Sequence, residues 1–190
     1  MGASEGAMEW ASATLQEIWK ENAAAREALL DEVRGLSAAR LAFQPSPGKW
    51  SIGEILDHLS LAERSIARVA SRILQQAAGR GLVGEPGSME PPAHHIDRDM
   101  FNTPAVAPES VLPSPGRPLE RLLASLEESR ERLLDVSSRA DGRVVGNVTI
   151  RHFQLGELHF YQWLVLEGAH ESKHLAQIRQ IKTHPKFPRN

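Results

Sequence analysis

Residues 79–117 constrain this chain more than any other stretch. They hold seven of its twelve prolines together with several glycines. Proline lacks the amide hydrogen and clashes with the preceding turn, so the tract cannot be one long helix. On either side of it, apolar residues recur with helical period. A first helix is expected from about Met8 to Arg34, on the stripe Leu15, Ile18, Trp19, Leu29, Leu30 and Val33, with Gly35 as its stop. The second opens at Trp50-Ser51-Ile52-Gly53-Glu54-Ile55, where Ser51 and Glu54 have the spacing of a capping box and Trp50 with Ile55 that of a hydrophobic staple. Its stripe runs through Ile55, Leu59, Ala62, Ile66, Val69 and Ile73. The third follows Pro118 on Leu119, Leu122, Leu123, Leu126, Leu133 and Leu134, and the fourth spans about Glu157 to Lys182. Between these two, Val144, Val145, Val148 and Ile150 suggest a short strand or hairpin. The expectation is an all-α, four-helix bundle forming a single domain over 1–190. A tract as long as 79–117 needs a job inside such a domain. It can carry the chain the length of the bundle, so that helices two and three run parallel, or fold over one end as a lid.

Composition narrows the chemistry. A net charge of -2 and a pI near 6.5 leave no basic footprint for nucleic acid. No apolar run approaches a membrane span. The start, Met1-Gly2-Ala3-Ser4-Glu5, has neither the basic nor the apolar region of a secretory signal, so a cytoplasmic location is expected. With no cysteine, a metal can be held only by His, Asp or Glu.

His170-Glu171-Ser172-Lys173-His174 places two histidines one helical turn apart, on a stripe with Trp163, Leu166, Ile178 and Ile181. Positions i and i+4 share a helix face, with Cβ atoms roughly 6 Å apart. Buried polar rings cost free energy unless partnered, and a metal ion is such a partner. His58, beside Ile55 and Ala62 on the second helix's stripe, is the candidate third ligand. Three neutral imidazoles would leave coordination positions open, as in a catalytic site, and suit Zn, Ni, Fe or Cu. Such a metal acidifies bound water or a bound substrate heteroatom.

His-Glu-x-x-His also matches the zinc-peptidase motif, with Glu171 as general base. That reading lacks a downstream ligand: none of the 16 residues after His174 is Asp or Glu, and Gln177 and Gln180 stand where the extended motif needs Gly and His. Gln177 can orient a ligand or water by hydrogen bonding. His94-His95 with Asp97 and Asp99 read as a solvated loop cluster, as groups that overhang the metal and contact substrate, or as a second metal site, and His152 and His159 flank the start of the fourth helix, where surface histidine is an equal reading. Glu63 and Arg64 read as part of a solvated flank.

Two blocks of this chain resemble the DinB-like superfamily of four-helix-bundle, metal-dependent enzymes, which includes the bacillithiol S-transferases. One is Pro47 to Leu59, a tryptophan-led capping box ending near His58. The other runs from His152 through Gly156 and Trp163 to His170, His174 and Gln177-Ile178. The resemblance implies an up-down-down-up bundle with a long crossover between helices two and three. It further implies a metal triad of His58, His170 and His174, His152 and His159 toward one end of the bundle at the cavity mouth, and a homodimer. The expected function is a metal-dependent enzyme that activates water for hydrolysis or a low-molecular-weight thiol for S-transfer. Zn or Ni would be the metal, with Fe or Mn as further fits, and a small molecule the substrate. The rival from another class is a non-catalytic, metal-stabilised or small-molecule-binding stress-related bundle.

Overall fold

The structure, a computed structural model, describes residues 9–96 and 106–189. It is mostly helical: α1 (Ala13–Val33), α2 (Ala38–Ala42), α3 (Ile52–Gly79), α4 (Leu119–Ser138) and α5 (Phe160–Lys182). The strands are short: β1 (Val83–Gly84) pairs with β2 (Val144–Val145), and β3 (Thr149–His152) with β4 (Gly156–His159), both antiparallel. No helix among the described residues is long and apolar enough to cross a membrane.

Local chemistry sets the helix starts. Ser12 caps α1 by accepting from Leu15 N, and the expected start at Met8 lies outside the described residues. The capping box of α3 is complete, with Glu54 N donating to Ser51 Oγ at 3.2 Å and Ser51 N donating to Glu54 Oε2 at 2.9 Å. Two boundaries differ from expectation. The connector after α1 contains the short α2, capped by Ser37, because five residues are too few for a periodic signal. The fourth long helix starts at Phe160 rather than Glu157, since residues 156–159 pair as β4. Gly156, at φ 77°, takes the left-handed conformation that turns the chain back after His152, and a residue with a Cβ is strained there.

The core comes in two apolar halves. One gathers Leu15, Ile18 and Trp19 of α1, Ile66, Ala70 and Ile73 of α3, Leu133 of α4 and Phe160, Tyr161 and Leu164 of α5. The other gathers Leu29 and Val33, Ile52, Ile55, Leu56 and Leu59, Leu122 and Leu126, and Leu175, Ile178 and Ile181. Each long helix thus gives its first half to one cluster and its second half to the other.

Between the halves lies a charged layer to which each long helix contributes: Arg26 from α1, Glu63 from α3, Arg130 from α4, and Glu167 and Glu171 from α5, all at most 5% exposed. Glu63 is therefore not on a solvated flank. Arg26 Nη2 donates to Glu63 Oε2 at 2.9 Å and Arg26 Nε to Glu171 Oε1 at 2.5 Å. Arg130 Nη2 donates to Glu171 Oε2 at 3.0 Å and Glu167 Oε1 at 3.1 Å. Arg130 Nε lies 2.7 Å from Glu63 Oε1, an ion pair without hydrogen-bond alignment. Ser129 Oγ donates to Glu63 Oε2, and Arg26 Nη1 to the Leu126 carbonyl. Burial alone would raise the Glu63 pKa, but the fields of Arg130 and Arg26 and the bond from Ser129 hold it below the usual carboxylate value. Burial pushes Glu167 well above that value, more than Arg130 offsets.

The proline-rich connection is anchored at intervals. Gly146 N donates to the Leu82 carbonyl at 2.6 Å, where a Cβ on Gly146 would press against Leu82. His159 Nε2 bonds the Ala93 carbonyl at 2.9 Å. A 3₁₀ turn, Glu109–Val111, then comes against α3, followed by Ser114 N donating to Asp57 Oδ2 at 2.8 Å and by an Arg117–Asp57 ion pair.

Replacing one guanidinium of the layer leaves buried carboxylates uncompensated. Arg130→Met is expected to cost about 3–5 kcal/mol, against about 1 kcal/mol or less for a surface ion pair such as Arg132–Glu128. Urea denaturation of Arg130→Met beside Arg132→Met checks this; equal, small losses would contradict it.

Candidate metal centre

Three ring nitrogens converge at the seam of α3 and α5. His58 Nε2 lies 3.2 Å from His170 Nε2, which lies 3.1 Å from His174 Nε2. Among the described residues these are the one group of three His, Asp or Glu able to hold an ion, with their ligand atoms all within 4.8 Å of one another. The helical repeat brings His170 and His174 together, and the packing of α3 on α5 brings His58 to them.

The tautomers follow from the outer ring nitrogens. His58 Nδ1 is 2.8 Å from the Val111 carbonyl, an acceptor only, so Nδ1 carries the hydrogen and Nε2 a lone pair. His174 Nδ1 is 2.9 Å from Gln177 Oε1 and donates to it, which again leaves Nε2 as a lone pair. Gln177 thus holds the place expected of an orienting residue. A single hydrogen on His170 Nε2 can serve only one of its two neighbours. The remaining lone pairs face one another, an arrangement that a cation among them resolves. Imidazole nitrogens about 2.1 Å from one ion and roughly 100° apart would lie about 3.2 Å from each other, close to the two separations His170 makes with His58 and His174.

Electrostatics agree with that ligand state. Burial lowers the pKa of His58. It drives His170 well below its ordinary value, with help from His174 and His58. Burial and then the field of His58 take His174 to about 3. Neutral imidazole is the ligand form. The residues present therefore fit a divalent metal held by His58, His170 and His174.

The surroundings include groups that sequence reasoning missed. Trp50, expected only as part of a staple, lays its ring against His58 at 4.7 Å and His174 at 6.3 Å between centroids, walling one side. Its position just before the capping box was the available signal. The Val111 carbonyl had none, because a backbone group leaves no mark in sequence. Asp57, which ties residues 114 and 117 down next to His58, had only its adjacency.

Other expected site residues are placed differently. Glu171 is fully buried, and both its oxygens face Arg26 and Arg130 in the charged layer. His152 sits at the end of β3, packed edge-on to Trp163 at 5.4 Å, with Nδ1 accepting from Gln154 N and Leu155 N. Burial takes its pKa to about 4. His94 and His95 lie against α1 and α5 at a separate cavity of about 360 Å³, with His94 Nε2 3.8 Å from Glu17. His159 is buried and bonded to Ala93, while Asp97 and Asp99 fall outside the described residues.

Fold and site together define a helical bundle with a three-histidine group that could hold a metal ion. The DinB superfamily profile matches residues 21–178, and the chain belongs to that superfamily. It is 28% identical over 159 residues to the uncharacterized protein YuaE of Bacillus subtilis (strain 168), covering 80% of this chain and 89% of YuaE. The crystal structure of TT2238, described as a four-helix bundle protein, is similar with a TM-score of 0.60 and 25% identity, over 86% of this chain and 97% of that one.

Histidines held neutral in the folded chain but free to titrate near 6.5 when unfolded make stability depend on pH. Below 6.5 the unfolded chain binds more protons. The contribution is therefore complete above 6.5 and is lost as pH falls toward 4 and then 3. The urea midpoint of metal-free protein should drop between pH 7 and 4.5, with a smaller drop in His152→Asn/His174→Gln. Identical pH profiles for the two proteins would contradict this origin.

Proposed function

We propose that this protein is a metal-dependent enzyme in which His58, His170 and His174 hold one divalent ion, Zn or Ni first, with Fe or Mn as alternatives. The observation that carries the reading is the convergence of three Nε2 atoms with the Nδ1 atoms of His58 and His174 tied to acceptors. Three protein ligands leave coordination positions open, and the ion, when bound, supplies Lewis acidity that lowers the pKa of a water or a thiol. The chain's own residues do the rest. Val111 and Gln177 hold two imidazoles in the ligand tautomer, Trp50 shields one side from water, and His152 can offer an Nε2–H to a substrate because its Nδ1 already accepts two backbone amides.

The reaction class is hydrolysis or S-transfer from a low-molecular-weight thiol to a small molecule, at a cytoplasmic location. The peptidase alternative needs Glu171 as base at the metal, and a carboxylate occupied on both oxygens by guanidiniums is poorly placed for that work. A non-catalytic, metal-stabilised or small-molecule-binding bundle stays as the second reading, favoured by the lack of a carboxylate general base grouped with the histidines among the described residues.

The proposed architecture is a single domain running up-down-down-up, with residues 80–118 as the crossover. Its support is the matching order of contacts along α3 and α4: Asp57 with Arg117, Glu63 with Ser129, Ser71 with Arg139 and Val83 with Val145. Homodimerisation belongs to the same proposal.

Tag-free protein should carry about one equivalent of divalent metal by mass spectrometry, and His58→Ala should lose at least tenfold in affinity. Absence of metal after incubation with Zn, Ni, Mn and Fe would end the reading. With Co(II) as the ion, a small thiol entering an open position should produce a thiolate-to-metal charge-transfer band. A Co(II) spectrum indifferent to thiol would leave hydrolysis or the non-catalytic reading.

A further inference from the structure

The charged layer is a poor choice if stability alone were the aim. Buried ion pairs add little or nothing over well-packed apolar residues of similar volume. Apolar clusters already stand on both sides of the layer. Its connectivity is also specific. Arg26 of α1 contacts Glu63 of α3 and Glu171 of α5, and Arg130 of α4 contacts the same two carboxylates. Two guanidiniums and two carboxylates therefore close a four-membered ring through all the long helices. Glu63 and Glu171 belong to α3 and α5, the helices that carry the histidines. Glu63 follows His58 by five residues, about 7.5 Å along the helix, and Glu171 directly follows His170.

We infer that Arg26 and Arg130 are positioning residues for the histidine centre: by bridging Glu63 and Glu171 they fix the register in which His58 meets His170 and His174. The physical ground is directional. The planar guanidinium fork sets angles as well as distances, which a point charge or an apolar contact does not. A slip of one residue along α5 would move its side chains by about 1.5 Å and rotate them by about 100°. Ligand distances tolerate only about 0.2 Å. Packing of Leu, Ile and Ala resists such slips weakly, because similar apolar side chains substitute for one another across the seam. Three of the four links are aligned hydrogen bonds and the fourth, Arg130 to Glu63, is an ion pair; a slip of one residue along α5 would turn Glu171 away from both guanidiniums. Ser129 and the Leu126 carbonyl tighten the ring by occupying the remaining directions on Glu63 and Arg26.

This inference rests on the metal reading above, and the experiment separates the two. Co(II) is titrated into wild type, Arg26→Lys, Arg130→Lys and Leu133→Ala, following affinity and the visible d–d bands. Leu133 is fully buried in the cluster on the far side of the layer, so its truncation lowers stability without removing a member of the ring. The lysine variants keep the charge and lose the fork. Each should weaken Co(II) binding about 10- to 100-fold and shift the bands, while Leu133→Ala keeps both wild-type affinity and wild-type bands. Lysine variants with unchanged affinity and bands, beside a wild type that binds Co(II), would overturn the positioning role alone. A wild type that binds no Co(II) overturns the metal reading itself. Should the lysine variants fail to fold, hydrogen exchange on wild type decides. Amides of α3 and α5 equally protected with and without Co(II) support a register set by the ring, whereas protection that arises only on metal addition overturns it.

Discussion

The structure depends on the ion-paired layer of Arg26, Arg130, Glu63 and Glu171. Charges buried this deeply are tolerable only when partnered, and here the partners sit on four different helices. The same condition that makes the layer costly ties the four long helices to one another, because each buried charge finds its partners on other helices. Glu167 completes the layer. Its Oε1 accepts from Arg130 Nη2 at 3.1 Å, and burial raises its pKa well above the usual carboxylate value.

The histidine group stands beside this layer in the chain. His170 precedes Glu171 by one residue, while His58 precedes Glu63 by five, so both histidine-bearing helices are ion-paired close to the candidate site. The second support comes from the proline-rich connection. It delivers the Val111 carbonyl to His58 and is itself held by Asp57, the residue before that histidine. A tract with no helical period thereby sets the tautomer of a candidate ligand. The third support is Trp50, whose ring joins the start of α3 to the histidine of α5.

Much of the fold was legible because its signals are local. The four long helices follow from apolar period, and the start of α3 from Ser51 and Glu54. The start of α5 was misplaced because Glu157 and Leu158 suit a helix by composition, while pairing with Thr149–His152, a tertiary contact, makes them a strand. Glu63 read as solvent-facing because a charged residue on a helix usually is. Its burial is stabilised by Arg26 and Arg130, which lie 37 and 67 positions away in the chain. Glu171 drew attention through the His-Glu-x-x-His spacing. The helix turns it about 100° from His170, toward the guanidiniums.

By itself the sequence determined where the four long helices run, to within a few residues at their ends, that His170 and His174 share a face, and that any metal must be held without thiolate. These follow from helical period and from composition, which no partner segment is needed to define. Tertiary structure decided that His58 joins the pair, that a loop carbonyl and Gln177 orient the rings, and that Glu171 serves the charged layer. Each of those outcomes depends on the relative placement of groups distant in the chain. Placement of that kind is set by the simultaneous packing and charge satisfaction of the helices, which no local pattern encodes.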